Sequence, residues 1–337
     1  MKIKTIGYLI LFSLISFQSR AFAACDSCFV PRTARTSDYS LGADTGGFFL
    51  DFRYEYQNWD SRSESHDIGT DSEGMHSDQG EDSHADHEDE HRTSLSRHSE
   101  PGGHGHNRSQ DRLYHFSAGY NFGEDLTVLA HLPFIERFEL QDSGSERSDG
   151  FGDLTLLSTW RPIKWETGFA GPVLGVKLPS GDTSERNSHS ERFEPELQPG
   201  TGSTDVIMGA AFEEQFAPWI LRGNALYFLR TEGSQNYEFG DTTSISLFLD
   251  YTAYSAGNTS VFAGVDINFQ HAEKDLQNGS VVGASGADLL FLGPNLTFSF
   301  AKNSIFSVAV LFPVVQDRGG DHQDLESVWF AGGRVFF

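Results

Sequence analysis

The chain of 337 residues contains 35 glycines and 29 phenylalanines, yet its mean hydropathy is −0.38. Its formal charge of −24 excludes a nucleic-acid partner and favours cations as partners. The chain has no run of about 20 apolar residues, which excludes a helical membrane protein. The negative mean hydropathy suits segments that are apolar on one side only.

The N-terminus predicts export from the cytoplasm. Met1–Lys4 is a short basic region, Tyr8–Phe17 is an apolar core, and Ala21–Ala23 is a small-x-small cleavage site. We therefore predict a signal peptide over residues 1–23. Cleavage of this signal peptide removes three basic residues, so the formal charge of the mature chain is −24 − 3 = −27.

Residues 24–45 are expected to form a periplasmic tail with two cysteines, Cys25 and Cys28. An oxidising compartment favours a disulfide between them. The alternative is a redox or soft-metal site, because thiolates bind Cu(I) and Zn(II). Lipidation of Cys25 also stays open, although Phe22 is a poor residue at the first position of a lipoprotein cleavage box.

From residue 46 to 337 the polarity alternates with period two in about 12 segments. In the first segment, Leu50, Phe52, Tyr54 and Tyr56 share one face and four polar residues share the other. The last segment, Trp329–Phe337, ends in an aromatic residue, which is typical of the insertion signal of outer-membrane barrels. The pattern predicts an all-β fold, a transmembrane antiparallel β-barrel.

The connections between these segments alternate in length. Short links are expected near 121–125, 162–168, 215–218, 255–258 and 302–304. Long polar links are expected near 60–111, 141–150, 179–204, 231–241, 271–286 and 316–324. This alternation predicts short periplasmic turns, long extracellular loops and an even number of strands in the bacterial outer membrane.

The first long link, residues 60–111, has an unusual composition. It contains 14 Asp or Glu, four Arg and eight His, and therefore a charge of −10 without the histidines. Imidazole and carboxylate are ligands for Zn, Ni, Co or Cu, although no cofactor is required for a barrel. The alternative is a solvated loop that screens the pore. The candidate metal ligands are His84, His87, His91, His104, His106, Asp86, Glu88 and Glu90.

The polar faces of the strands predict a lumen of mixed charge. Such side chains would line a narrow aqueous path, or their charges would pair across the lumen and plug it; twelve strands do not decide between these outcomes. The candidate lumen-lining residues are Asp51, Arg53, Glu55, His115, His131, Asp153, Arg161, Lys177, Arg222, Asn224, Asp250, Asp266, Asn268 and Arg334.

Three segments carry a resemblance to a known family. Gly150–Asp153 begins a strand, Leu178–Gly181 ends the next, and Gly200–Asp205 begins the one after. Together they resemble the outer-membrane proteins named for the meta-pathway of phenol degradation. The resemblance implies a barrel that acts as a channel or transporter for small organic molecules, without catalytic residues.

Three functions stay open from the sequence. The first is a porin-like channel or transporter for small solutes, with the His-rich loop capturing divalent metal ions. The second is a surface metal-binding barrel that conducts nothing, and the third is an outer-membrane hydrolase built on Ser117, His115 and His131. We expect no enzyme. The expected partners are outer-membrane lipid, the barrel-assembly machinery, and small solutes or metal ions, with the protein as a monomer.

Overall fold

The computed structural model describes residues 46–60, 108–141, 144–301, 303–319 and 324–337. In these ranges the elements are β-strands and two single-turn 3-10 helices, Pro195–Leu197 and Ser234–Asn236. No helix in these ranges has both the length and the apolar character to cross a membrane. The strands are β1 (Gly47–Asp60), β2 (Arg108–Phe122), β3 (Leu126–Gln141), β4 (Gly144–Phe151), β5 (Leu154–Trp160), β6 (Ile163–Trp165), β7 (Gly168–Leu178), β8 (Asp205–Phe216), β9 (Trp219–Leu229), β10 (Tyr237–Glu238), β11 (Thr242–Ala256), β12 (Thr259–Ala272), β13 (Leu276–Gln277), β14 (Ser280–Val281), β15 (Ala287–Phe300), β16 (Ser304–Arg318) and β17 (Asp324–Phe336).

Twelve of the described strands form a closed antiparallel barrel, and each is hydrogen-bonded to its neighbours along the chain. The barrel closes where β1 pairs with β17, with Phe49 opposite Phe336. The backbone N–H of Phe337 extends this seam by donating to the carbonyl of Phe48 at 2.9 Å. The predicted all-β, twelve-stranded barrel is confirmed. Its strands are β1, β2, β3, β5, β7, β8, β9, β11, β12, β15, β16 and β17.

Alternation along the strands separates an exposed apolar outer face from a buried inner face, which carries polar and charged side chains together with apolar clusters. Phe52 and Phe116 are 45% and 46% exposed on the outside, and their ring centroids lie 5.4 Å apart. Their chain neighbours Arg53 and His115 are 8% and 2% exposed on the inside. Because the apolar side chains face outward, the wall suits lipid on the outside and polar groups within.

The region 141–150 forms more strand than the sequence suggested. The prediction of a long loop there is wrong, because β4 pairs with the second half of β3 and only residues 142 and 143 separate the two strands. Arg147 holds this polar strand in place. Its guanidinium lies 3.0 Å from Glu136, 3.0 Å from Asp149 and 5.2 Å from the ring centroid of Phe138. The pairing of β4 with the exposed end of β3 therefore does not require alternating apolar residues in β4.

The two ends of the barrel differ as predicted. At one end, residues 123–125, 217–218 and 257–258 make tight turns between long strands. At the other end, residues 179–204 and 230–241 make long connections, and β10, β13 and β14 form a small separate sheet there. By the usual layout of these barrels, the tight turns are periplasmic and the long connections extracellular.

This orientation predicts which basic residues a protease reaches on intact cells. Trypsin added outside should cut after Arg186 or Arg192, which are exposed in the connection 179–204. It should spare Lys164, which lies on the tight-turn end, until the outer membrane is permeabilised. The fragments are identified by mass spectrometry, and cleavage at Lys164 alone on intact cells would reverse the orientation.

Candidate functional site

The barrel interior collects the polar residues that the sequence placed on the inner face. Glu55, His115 and Arg222 are 1%, 2% and 3% exposed. Asp51 and Lys177 each have 10% of the side chain exposed. The fourteen predicted lumen-lining residues are thus buried or nearly buried, among apolar clusters of the interior, and we call them the polar wall: Asp51, Arg53, Glu55, His115, His131, Asp153, Arg161, Lys177, Arg222, Asn224, Asp250, Asp266, Asn268 and Arg334.

Among the described residues, these charges pair around the wall between neighbouring strands. Arg334 of β17 lies 3.2 Å from Asp51 of β1. Arg222 of β9 lies 3.5 Å from Glu213 of β8 and 3.4 Å from Asp250 of β11. Both partners of each of these pairs stand on adjacent strands, so each pair neutralises charge within the barrel wall. The two alternatives from the sequence, a lined path and a plugged lumen, both stay predictions.

Two histidines stack inside the barrel on β2 and β3. The ring centroids of His115 and His131 are 5.3 Å apart, with their planes tilted by 28°. His115 Nε2 lies 3.2 Å from Glu55, and Ser117 Oγ lies 3.1 Å from His131 Nδ1. A serine hydrolase needs a further group to orient its histidine. Among the described residues, the second ring nitrogen of His131 has no hydrogen-bond partner, so the Ser117–His131 contact there lacks an orienting group.

The three sequence segments of the family resemblance meet at the extracellular rim. The carboxylates of Asp153 and Asp205 lie 3.0 Å and 2.9 Å from Lys177 Nζ. Arg230 Nη1 donates to Asp205 at 2.8 Å, and the Thr201 hydroxyl donates to Asp153 at 2.6 Å. All of these side chains are buried. We call this group the rim cluster: Asp153, Lys177, Thr201, Ser203, Asp205 and Arg230.

Two glycines of the same segments allow the backbones beneath the rim cluster to approach. A Cβ on Gly200 would lie 2.5 Å from the carbonyl carbon of Gly181, and a Cβ on Gly181 would lie 2.7 Å from the Cα of Gly200. Asp153 Oδ1 accepts the N–H of Gly181 at 2.9 Å, and its Oδ2 accepts the N–H of Thr201 at 3.0 Å. The glycines are therefore needed for close contact, and Asp153 joins the two segments.

An apolar layer that the sequence interpretation missed lies inside the barrel near its periplasmic end. Phe49 and Phe336 are 0% and 7% exposed, with ring centroids 5.8 Å apart, and they pack with Leu129 and Ile305. The guanidinium of Arg334 lies 4.7 Å from the ring centroid of Phe49 and joins this layer to the polar wall. The alternation in β1 could have predicted this layer, because Phe49 falls on the same inner face as Asp51.

A small cavity lies beside the polar wall. It measures about 40 Å³, which is space for a few water molecules. Arg53, Asp266 and Asn268 supply polar groups to its lining, and Phe248 and Phe330 supply apolar surface. The interior thus offers both hydrogen-bonding and apolar surface at one level of the barrel.

The predicted metal ligands of the His-rich loop and the two cysteines lie outside the described residues. This applies to His84, His87, His91, His104, His106, Asp86, Glu88, Glu90, Cys25 and Cys28. Within the described ranges, no group of three or more His, Cys, Asp or Glu side chains has an arrangement that would hold a metal ion. Metal binding by the loop therefore stays a prediction.

An apolar outside, a polar inside and alternating connection lengths define a β-barrel of the bacterial outer membrane. Residues 112–319, more than half of the chain, match the family described as the MetA-pathway of phenol degradation. The chain belongs to this family, as the three segments predicted. The comparison with curated proteins gave no match.

Solved structures of outer-membrane barrels share the fold. An outer membrane channel from Pseudomonas putida F1 is 14% identical, with a TM-score of 0.57 over 87% of this chain and 96% of the channel. The β domain of the Bordetella autotransporter BrkA is 9% identical, with a TM-score of 0.50 over 87% of this chain and 100% of that domain. At these identities the likeness concerns the fold.

Proposed function

We propose that the protein is a non-enzymatic channel or transporter for small solutes across the outer membrane. The observation that carries this proposal is a closed barrel with charged and polar side chains buried inside it, such as the pairs Arg334–Asp51 and Arg222–Asp250. Polar groups inside an apolar outer wall suit the passage of a solute that does not dissolve in lipid. The family name and the likeness to an outer membrane channel support the same function.

We further propose small organic molecules as the solute class. The cavity brings Asn268 and Asp266 close to Phe248 and Phe330, so a molecule with an apolar body and a hydrogen-bonding group would find both kinds of surface. The family name refers to phenol degradation, which supports the same class. The lumen-lining role of the fourteen residues of the polar wall is part of this proposal.

Vesicle swelling tests the proposed function. Liposomes that contain the purified protein should swell in isosmotic solutions of small solutes and swell progressively more slowly as solute size increases. The matched control contains the same protein after heat unfolding. Swelling no faster than in protein-free liposomes, with the barrel shown to be folded, would contradict a channel.

The composition of residues 60–111 favours a second candidate function, the capture of divalent metal ions at the cell surface. Eight histidines and an excess of ten carboxylates stand in one connection. Because imidazole binds metal only when it is neutral, Zn(II) or Ni(II) binding should weaken as the pH falls through about 6.5. Changing His84, His87 and His91 to Ala should remove the tightest sites in a calorimetric titration. Unchanged Zn(II) affinity in the triple variant would rule out this capture site.

A further inference from the structure

Three extracellular connections meet at a single phenol. Tyr237, at the start of β10, places its hydroxyl 2.6 Å from Glu196 Oε1 and 2.6 Å from Asp275 Oδ2. Glu196 belongs to the connection 179–204 and Asp275 to the connection 273–286. Tyr237 is 5% exposed and Asp275 is 2% exposed. We call these three residues the loop junction.

The loop junction contains one more hydrogen bond than its phenol can donate. A phenol carries a single proton, whereas ionised carboxylates only accept. If the hydroxyl donates to one carboxylate, the contact with the other requires a proton on that carboxyl group. The three groups therefore hold two protons and carry one negative charge in this arrangement.

Asp275 is the better carrier of the second proton. Its Oδ1 accepts the backbone N–H of Gly240 at 2.6 Å, which leaves Oδ2 to hold a proton directed at Tyr237. Burial raises the pKa of the Asp275 carboxyl above its usual range, against the opposing effects of the Tyr237 and Gly240 hydrogen bonds and the charge of Arg230. Burial, with the hydrogen bonds to Asp275 and Glu196, also raises the pKa of the Tyr237 phenol.

The surroundings of the loop junction hold these groups in place. The ring of Phe239 packs edge-on against Tyr237 at a centroid distance of 4.9 Å, and Val282 covers the pair. Arg137 Nη1 donates to the backbone carbonyl of Glu196 at 2.6 Å. Arg137 and Arg230 are basic side chains in this region, and the Ser285 hydroxyl accepts the backbone N–H of Asp275 at 2.6 Å.

We propose that the loop junction is a proton-operated latch that holds the three extracellular connections together in an acidic medium and releases them in an alkaline one. When the second proton leaves, two carboxylates face one phenol oxygen and only one hydrogen bond remains. The closed arrangement binds the proton more tightly than the open one. Its extra stability is therefore complete below the ordinary Asp pKa of about 4 and is lost as the pH rises through the raised value.

Hydrogen exchange of the full-length protein in lipid vesicles tests the latch without any conduction measurement. Peptides that cover 195–198, 237–240 and 273–285 are followed from pH 5 to 9, with rates divided by the intrinsic rate at each pH. The opening equilibrium should increase by up to about tenfold per pH unit across the transition.

Two variants distinguish the latch from simple packing. In Asp275→Asn the amide oxygen keeps the Gly240 bond and the amide nitrogen donates to Tyr237, so the connections should stay protected at every pH. Tyr237→Phe should leave them unprotected throughout. Glu238→Gln, the neighbouring half-exposed carboxyl, is the control and should keep the parent profile.

Two results would overturn the latch: flat protection of the parent protein from pH 5 to 9, or the parent pH profile in Asp275→Asn. Heat-modifiable migration in gels verifies that each variant has assembled. If Asp275→Asn does not assemble, Glu196→Gln takes its place, since its amide also donates to the phenol and should likewise abolish the pH dependence.

Discussion

Replacing Lys177 by Met should lower the free energy of unfolding by about 3–5 kcal/mol, because it leaves buried carboxylates without their shared cation. Lys177 Nζ lies within 3.0 Å of both Asp153 and Asp205, and it also hydrogen-bonds to Thr201 and Ser203. Asp205 would keep Arg230, but Asp153 would lose its cation. Urea unfolding of the barrel in lipid vesicles measures the change.

Lys164 provides a matched control for this substitution. Its ammonium group lies 2.7 Å from Asp125 and 3.4 Å from Glu124, yet its side chain is 35% exposed. Because water screens such surface pairs, Lys164→Met should change the free energy of unfolding by less than about 1 kcal/mol. Equal effects of the two substitutions would show that the rim cluster contributes no more than a surface ion pair.

Replacing Ser307 by Trp should reduce the conductance of the barrel by at least about half, because channel conduction depends on the free width of the pore. Ser307 lies on the inner face of β16 and lines the cavity of about 40 Å³, which an indole ring would fill. Its hydroxyl is 3.1 Å from that of Thr297, so this contact would also be lost. Single-channel recording in planar bilayers measures the effect.

The adjacent residue on the outer face separates pore width from any general effect of a bulky side chain. Phe306 is 41% exposed on the lipid-facing side. Phe306→Trp should leave the conductance unchanged, while both variants should migrate as folded barrels. A Ser307→Trp protein with the parent conductance would place the route of the solute elsewhere.

Strand polarity made the barrel predictable from the sequence. Outward Phe52 and inward Arg53 follow from period-two alternation, which the closed wall requires wherever lipid lies on one side only. The connection lengths gave the orientation of the barrel. Neither signal depends on contacts between distant residues, which is why both can be read directly from a single chain.

The missed features depend on contacts between segments that are distant in sequence. Phe49 and Phe336 pack against each other across the closing seam. The strand β4 is a different case, because it is adjacent to β3 in the chain and was missed since its polar sequence lacks apolar alternation. The sequence predicted that Asp153 and Asp205 lie where strands begin. Only the folded chain brings both carboxylates to the ammonium group of Lys177. The loop junction at Tyr237 likewise needs three connections to meet, which alternation does not encode.

Single-channel recording of the unaltered protein tests the proposed function most directly. Purified, heat-modifiable barrel added to a planar lipid bilayer should produce discrete, uniform conductance steps, and the heat-unfolded sample should produce none. Folded protein that inserts into the bilayer without any conductance steps would contradict a channel built on this polar interior.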